Sequence, residues 1–279
     1  HPDSIELFKK IIDDKLLSQE LYGKADEFAL KSITESHNQE LKKTANFYIA
    51  YSELRNPAKH SPQKMATFVE DTRNQKRYIE WGLNELFFYY RSLNNSDSVC
   101  YYLNYLIDLE SSNHFAYVRD YARYLYKNHL DIGLADKLTK EYSETEGFFA
   151  DHWTPYLKVH RLAQIGEFEK GIKQFDDCMA IYSKPENFTD DYWNYKFYID
   201  LFLFYKKGSN KAIEYATMFE KSNPNSENKR DLAELYYLNG QVPDAVNKLT
   251  EVKNMTEDPK IKTEIDELIK KYNNRKIEK

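Results

Sequence analysis

Seven histidines are scattered along the 279 residues, and imidazoles are the first side chains to test for chemistry. No H-E-x-x-H, G-x-S-x-G, G-x-G-x-x-G or phosphate-loop string occurs. Zinc hydrolysis, a nucleophile elbow, a dinucleotide and a nucleotide phosphate therefore all lack their usual signature. Asp151-His152 and His160 come nearest to a cluster. Eight residues are more than two helical turns, so the two imidazoles cannot share a metal without a third ligand from elsewhere. Asp13-Asp14, Asp176-Asp177 and Asp190-Asp191 are adjacent carboxylates, and neighbours on a helix point about 100° apart. They read as solvated caps and not as an acid/base dyad. The chemistry-bearing residues thus predict a protein that is not an enzyme and holds no metal or cofactor. Cys100 and Cys178 stand alone with no CxxC pair, either as free core thiols or as one disulfide.

Charge narrows the partners. Forty basic and 45 acidic residues are spread evenly for a formal net charge of −5, whereas nucleic-acid binding rests on clustered Lys and Arg. The expectation is no nucleic acid. No apolar run approaches the roughly 18 residues of a membrane span, so no direct membrane insertion is expected in this chain. It begins at His1 and reads as a processed product or fragment from which targeting information is cut away. Eight Gly and eight Pro are too few for a many-turned β protein. Long helices joined by short corners fit better, with 24 Tyr and 16 Phe supplying much of the core.

The elements are plainest near the C-terminus, in ELYYLNGQVPDAVNKL. Apolar residues at helical spacing from Leu232 to Leu238 stop at Asn239-Gly240, a C-terminal cap signal, and Pro243 then stands in the first turn of a new helix. Ala245, Leu249 and Val252 continue on one face, and Pro259 precedes a third helix. The same grammar recurs upstream. Gly166 turns a corner before Gly171, Phe175 and Cys178; Gly208 turns one before Ala212, Ala216 and Phe219, with Pro224 as stop. Ser98, Ala135, Gly171, Ala212 and Ala245 occupy a small-residue slot where two helices approach closely. Helical pairs are also predicted over 78–93 with 97–109 and 117–128 with 131–142, with Asp97 able to cap its helix. In the N-terminal third, helices are predicted around 4–13, 16–34, 38–54 and 62–74, without a clear corner signature.

Residues 226–259 resemble the tetratricopeptide repeat family. Leu232-Ala233, Tyr236, Gly240, Ala245, Leu249 and Val252 fill its pattern in order, with the closing proline two places late at Pro259. Residues 152–185 resemble it less closely, and in 192–224 the corner is one residue short, leaving the register of the first helix open. The resemblance implies an all-α fold, an α-solenoid of antiparallel hairpins stacked into a superhelix, that binds a protein or peptide on its concave side. By that geometry the inward positions are Trp153, Tyr156 and His160 in one repeat and Arg230, Glu234 and Tyr237 in another, with Tyr195 added if its register holds. The slots where chaperone-tail clamps carry Lys and Asn hold Tyr156 and His160, and Asp231 and Glu234, which argues against binding a carboxylate tail.

Three regions follow: a divergent helical part at 1–75, repeat-like hairpins at 76–257 and a C-terminal helix at 258–279. That last helix either caps the array or resembles the connector that follows extracytoplasmic repeat regions of bacterial sensor proteins before a membrane span. The leading expectation is a peptide-binding module, in its narrower form the sensing region of a bacterial regulator, with an extracytoplasmic site slightly favoured. A small-molecule receptor with an aromatic pocket and a structural assembly scaffold are the alternatives.

Overall fold

The computed structural model of the chain describes residues 4–144, 153–182 and 192–274, and among these every regular element is a helix. Asp151-His152 and Asp190-Asp191 lie outside the described residues. Two compact units result: His1–Ala150 with Ala163–Gly166, and Asp151–Leu162 with Glu167–Lys279. The division falls inside 76–257, which the sequence pattern treats as one array; turn residues mark hairpins and say nothing of how contacts are grouped.

In the first unit, α1 (Ile5–Ile11), α2 (Tyr22–Glu35), α3 (Gln39–Arg55), α4 (Gln63–Asp71), α5 (Lys76–Ser92), α6 (Ser96–Asp108), α7 (His114–Lys127) and α8 (Ile132–Ser143) follow one another through short corners. Each packs on its successor from α2 to α8, and α1, α3 and α5 also touch in turn. The repeat therefore extends into the N-terminal third. Ala25 and Ala29, both fully buried on α2, let α3 approach, and Phe8, Leu41 and Tyr48 fill the space around them. Tyr48 donates to Asp13 Oδ2 at 2.7 Å and Tyr117 to Glu80 Oε1 at 2.7 Å, so these buried rings do not strand their hydroxyls. Neither cysteine is disulfide-bonded.

Several details differ from the sequence reading. The expected 16–34 helix begins at Tyr22, because a π-helical turn over Ile12–Leu17 carries the first helix onward before Glu20 reverses the chain at φ 56°. Asn95, not Asp97, caps α6, its side chain accepting from the Ser98 amide at 3.1 Å. The fully buried position of that turn is Val99, and Ser98 is only half-buried.

The second unit holds α9 (Trp153–Gln164) as far as Leu162, α10 (Phe168–Tyr182), α11 (Tyr192–Tyr205), α12 (Asn210–Ser222), α13 (Ser226–Leu238), α14 (Val242–Asn254) and α15 (Pro259–Asn273). Gly171 is a true close-approach position, since a Cβ there would stand 2.9 Å from the Val159 backbone. Gly240 turns its corner at φ 80°, as the cap signal predicts. Between α11 and α12 the left-handed residue is instead Lys206, and Gly208 is small because a Cβ would meet the Leu238 carbonyl at 2.9 Å. Counted from Lys206, Ala212 follows by six residues, against five from Gly166 to Gly171 and from Gly240 to Ala245, so the corner is one residue longer and only looks short when counted from Gly208. The last helix, α15, lays Ile265 and Tyr272 on Ala245, Leu249 and Val252, and exposes Glu264, Glu267, Lys270 and Lys271. A polar outer face over an apolar inner one is what a terminal cap requires.

Candidate ligand groove

The residues expected to line a groove divide into two sets. Tyr156, His160 and Tyr195 are 1, 0 and 2 % exposed, so they are core. Tyr156 meets Phe197 of α11 at 4.8 Å between ring centroids, and His160 Nδ1 hydrogen-bonds Tyr205 Oη at 2.7 Å. Tyr195 lies edge-on to Tyr215 of α12 at 4.7 Å. The aromatic wealth of α9 and α11 is spent joining one helix to the next, because buried ring contact gains more than rings left in water. Trp153 remains half-buried, with Phe197 at 4.2 Å.

On α13 the expected residues stay nearer the surface. Glu234 accepts from Lys206 Nζ at 2.5 Å. Tyr237 stacks on Tyr272 of α15, with centroids 3.9 Å apart and planes 8° from parallel. Burial pushes the Tyr272 hydroxyl up to about 12, with Glu234 and Tyr237 adding to it. Asp231, one residue beyond Arg230, accepts from Lys196 Nζ of α11 at 2.7 Å. Burial raises its carboxyl above the ordinary range, and Lys196 works against that rise.

Arg230 differs from these neighbours. Its Nε is buried with no acceptor among the described residues. It lines a cavity of about 700 Å³ between the start of α13, the end of α14 and the start of α15. Ser226 and Asp231 share the polar side of that cavity; Val252, Met255 and Ile261 supply the apolar side, with Met255 50 % exposed. The sequence marks Val252 as a packing position, and nothing in its pattern brings Met255 or Ile261 to Arg230. They lie 25 and 31 residues away, on different helices.

Two cavities in the first unit are smaller and already satisfied. One, of about 370 Å³, has Lys43 held by Gln75 Oε1 at 2.7 Å and Lys64 held by Glu53 at 2.6 Å. The other, of about 350 Å³ beside Phe8 and Phe28, has Ser32 Oγ donating to the Phe28 carbonyl at 2.9 Å.

No protein-family model and no curated protein sequence matches the chain. Among solved structures, a tetratricopeptide repeat protein from Parabacteroides merdae ATCC 43184 is similar with a TM-score of 0.63 at 13 % identity. The match covers 97 % of this chain and 99 % of that one. The TPR domain of P58(IPK) aligns with 97 % of this chain and 79 % of its own at 13 % identity, with a TM-score of 0.27. Helical hairpins that repeat from α2 to α15, and a superposition on the Parabacteroides structure over nearly the whole of both chains, give this protein the all-α tetratricopeptide repeat fold of the α-solenoid class.

Proposed function

We propose that the chain is a non-enzymatic module that binds an extended segment of a partner protein, and that its contact centre is the furrow beside Arg230. The observation that carries this reading is the cavity itself: Val252 and Ile261 line it together with Arg230, whose buried Nε has no acceptor among the described residues. Binding sites combine mostly apolar walls with a few placed polar groups, and half-buried Arg recurs among binding hot spots. Four lysines of this unit support a structural use of charge: Lys196, Lys206, Lys229 and Lys253 each tie a carboxylate on a neighbouring helix. Trp153, Glu234 and Tyr237 form the further reach of the same surface in this reading, with Tyr156, His160 and Tyr195 as its support.

In its narrower form the module is the sensing region of a larger bacterial regulator placed outside the cytoplasm. Support for this comes from the sequence of α15 and the basic residues after it. Among the described residues no helix is long and apolar enough to cross a membrane, so a span would have to lie elsewhere in a longer chain. The reading frame on either side of these residues tests it.

Peptide display on the purified chain tests the binding reading. Selected peptides should lose about tenfold or more in affinity on Arg230→Met, with the thermal midpoint unchanged. Equal binding by the variant would sink the groove. A second reading, a small-molecule receptor, draws on the cavity's volume, which falls within the range of ligand sites. A compound that raises the midpoint by mass action, where no peptide is selected, would favour it.

A further inference from the structure

We infer that the Arg230 cavity is a subsite for an uncharged peptide unit, a main-chain carbonyl followed by an aliphatic side chain, and not for a carboxylate or phosphate. The inference rests on the peptide-binding reading and specifies what that site accepts. Three observations carry it.

The first is the buried Nε of Arg230, which has no acceptor among the described residues. A buried donor left unsatisfied is costly, so an oxygen brought to it is favoured by more than an ordinary surface hydrogen bond. The second is the charge around it. Glu227, one turn before Arg230 on α13, keeps 78 % of its side chain in solvent at the cavity rim, and Asp231 follows Arg230 directly. Lys196 is shared among Asp231, Asp200 and Glu227 at 2.7, 3.4 and 4.0 Å. Of the charged side chains that line the cavity, Glu227 and Asp231 are acidic and Arg230 is basic, a balance that disfavours an incoming anion. A carbonyl oxygen accepts from Nε–H without adding charge.

The third observation is the apolar part of the lining. Val252, Met255 and Ile261 line the same cavity as Arg230, and Met255 is 50 % exposed although it is a large side chain. Methionine there is adaptable and can close over an aliphatic group of varied shape. Ser226, Asn225 and Thr256 border the same space with hydroxyl and amide groups suited to a peptide main chain.

The test is a titration of the intact chain followed by the side-chain Nε–H resonance of Arg230 and the methyl resonance of Met255. The probes are N-acetyl-leucine N-methylamide, which is neutral, and N-acetyl-leucine, which carries a carboxylate. The amide should move both resonances saturably with a dissociation constant of about 1–10 mM, as expected for so small a ligand. The carboxylate should bind about tenfold more weakly. Arg230→Lys, which keeps the charge and removes Nε, should abolish the saturable Met255 shift while the helical circular dichroism stays unchanged. No saturable shift with the amide overturns the inference, as does tighter binding of the carboxylate. Should Arg230→Lys not fold, the two wild-type titrations decide alone. A display-selected peptide that binds while Arg230 Nε stays unmoved refutes this subsite and leaves the module reading standing. Amide binding at Arg230 without any selectable peptide does the reverse.

Discussion

At the scale of single residues, position in the repeat did not decide exposure. Tyr156 and Glu234 occupy neighbouring inward slots in the repeat pattern, yet Tyr156 is 1 % exposed and Glu234 remains near the surface. The aromatic residues were drawn into contact with the next helix, whose sequence (YWNYKFYIDLFLFY) offers rings at almost every turn. Tyr156→Ala should therefore cost about 3–5 kcal/mol of stability, read from urea unfolding, because it empties a packed site. Arg230→Met should cost no stability, since it removes a buried donor whose Nε has no acceptor among the described residues. A large loss would show that the guanidinium is structural. Charge also has a residue-scale consequence at Lys229, which bonds Glu220 Oε1 at 2.5 Å and also Glu251. The hydrogen bond from Lys229 is the main cause that holds both carboxyls below their ordinary range. A depressed folded pKa gives stability that is complete above the unfolded value, about 4.3 for Glu, and is lost as pH falls through the folded value. Acid unfolding curves should show that loss below about pH 4, and Lys229→Met should flatten it.

At the scale of elements, glycine marked the corners of the C-terminal hairpins, the pairs around Asn94 and His129 were read from apolar spacing, and those of the N-terminal third were read as helices without a corner. Gly166 and Gly240 take φ of 78° and 80° and were read as turns. Glu20, His60, Asn94, His129 and Lys206 hold the same left-handed conformation at their corners without glycine's signature. The N-terminal hairpins were hidden for that reason, although their helices were largely placed by apolar spacing. The caps were similarly ambiguous, because Asn95 and Asp97 are both good capping residues and only the backbone at Asn95 is extended. Two substitutions separate these cases. No atom would lie within 4 Å of a Cβ at Gly240, so Gly240→Ala should cost about 1–2 kcal/mol through the left-handed backbone alone. Glu20→Gly should gain about 0.5 kcal/mol, the relief of that strain less the glycine's entropy. Thermal midpoints read both, and a stabilising Gly240→Ala would show that the corner is not held by its cap.

At the scale of the whole molecule, each hairpin exposes an apolar face that only a neighbour covers, so stability is passed from one repeat to the next. The helix α15 covers Ala245, Leu249 and Val252. A chain cut after residue 257 should lose amide protection throughout α13 and α14 and associate at rising concentration; retained protection would mean that α15 is not the cap. The fold was legible in the repeat of corners and small residues, while of the residues lining the candidate cavity only Arg230 stood among the inward positions read from the sequence. Its other wall is assembled from α14 and α15, and no spacing along the chain announces which residues of three helices will enclose one cavity. The central claim is that this cavity is where a partner segment docks. Hydrogen exchange of the full chain with and without a display-selected peptide tests it most directly. Protection concentrated at residues 224–231 and 252–261 is the predicted result; protection confined to the exposed tyrosines around Tyr101, or to α9 alone, would contradict it.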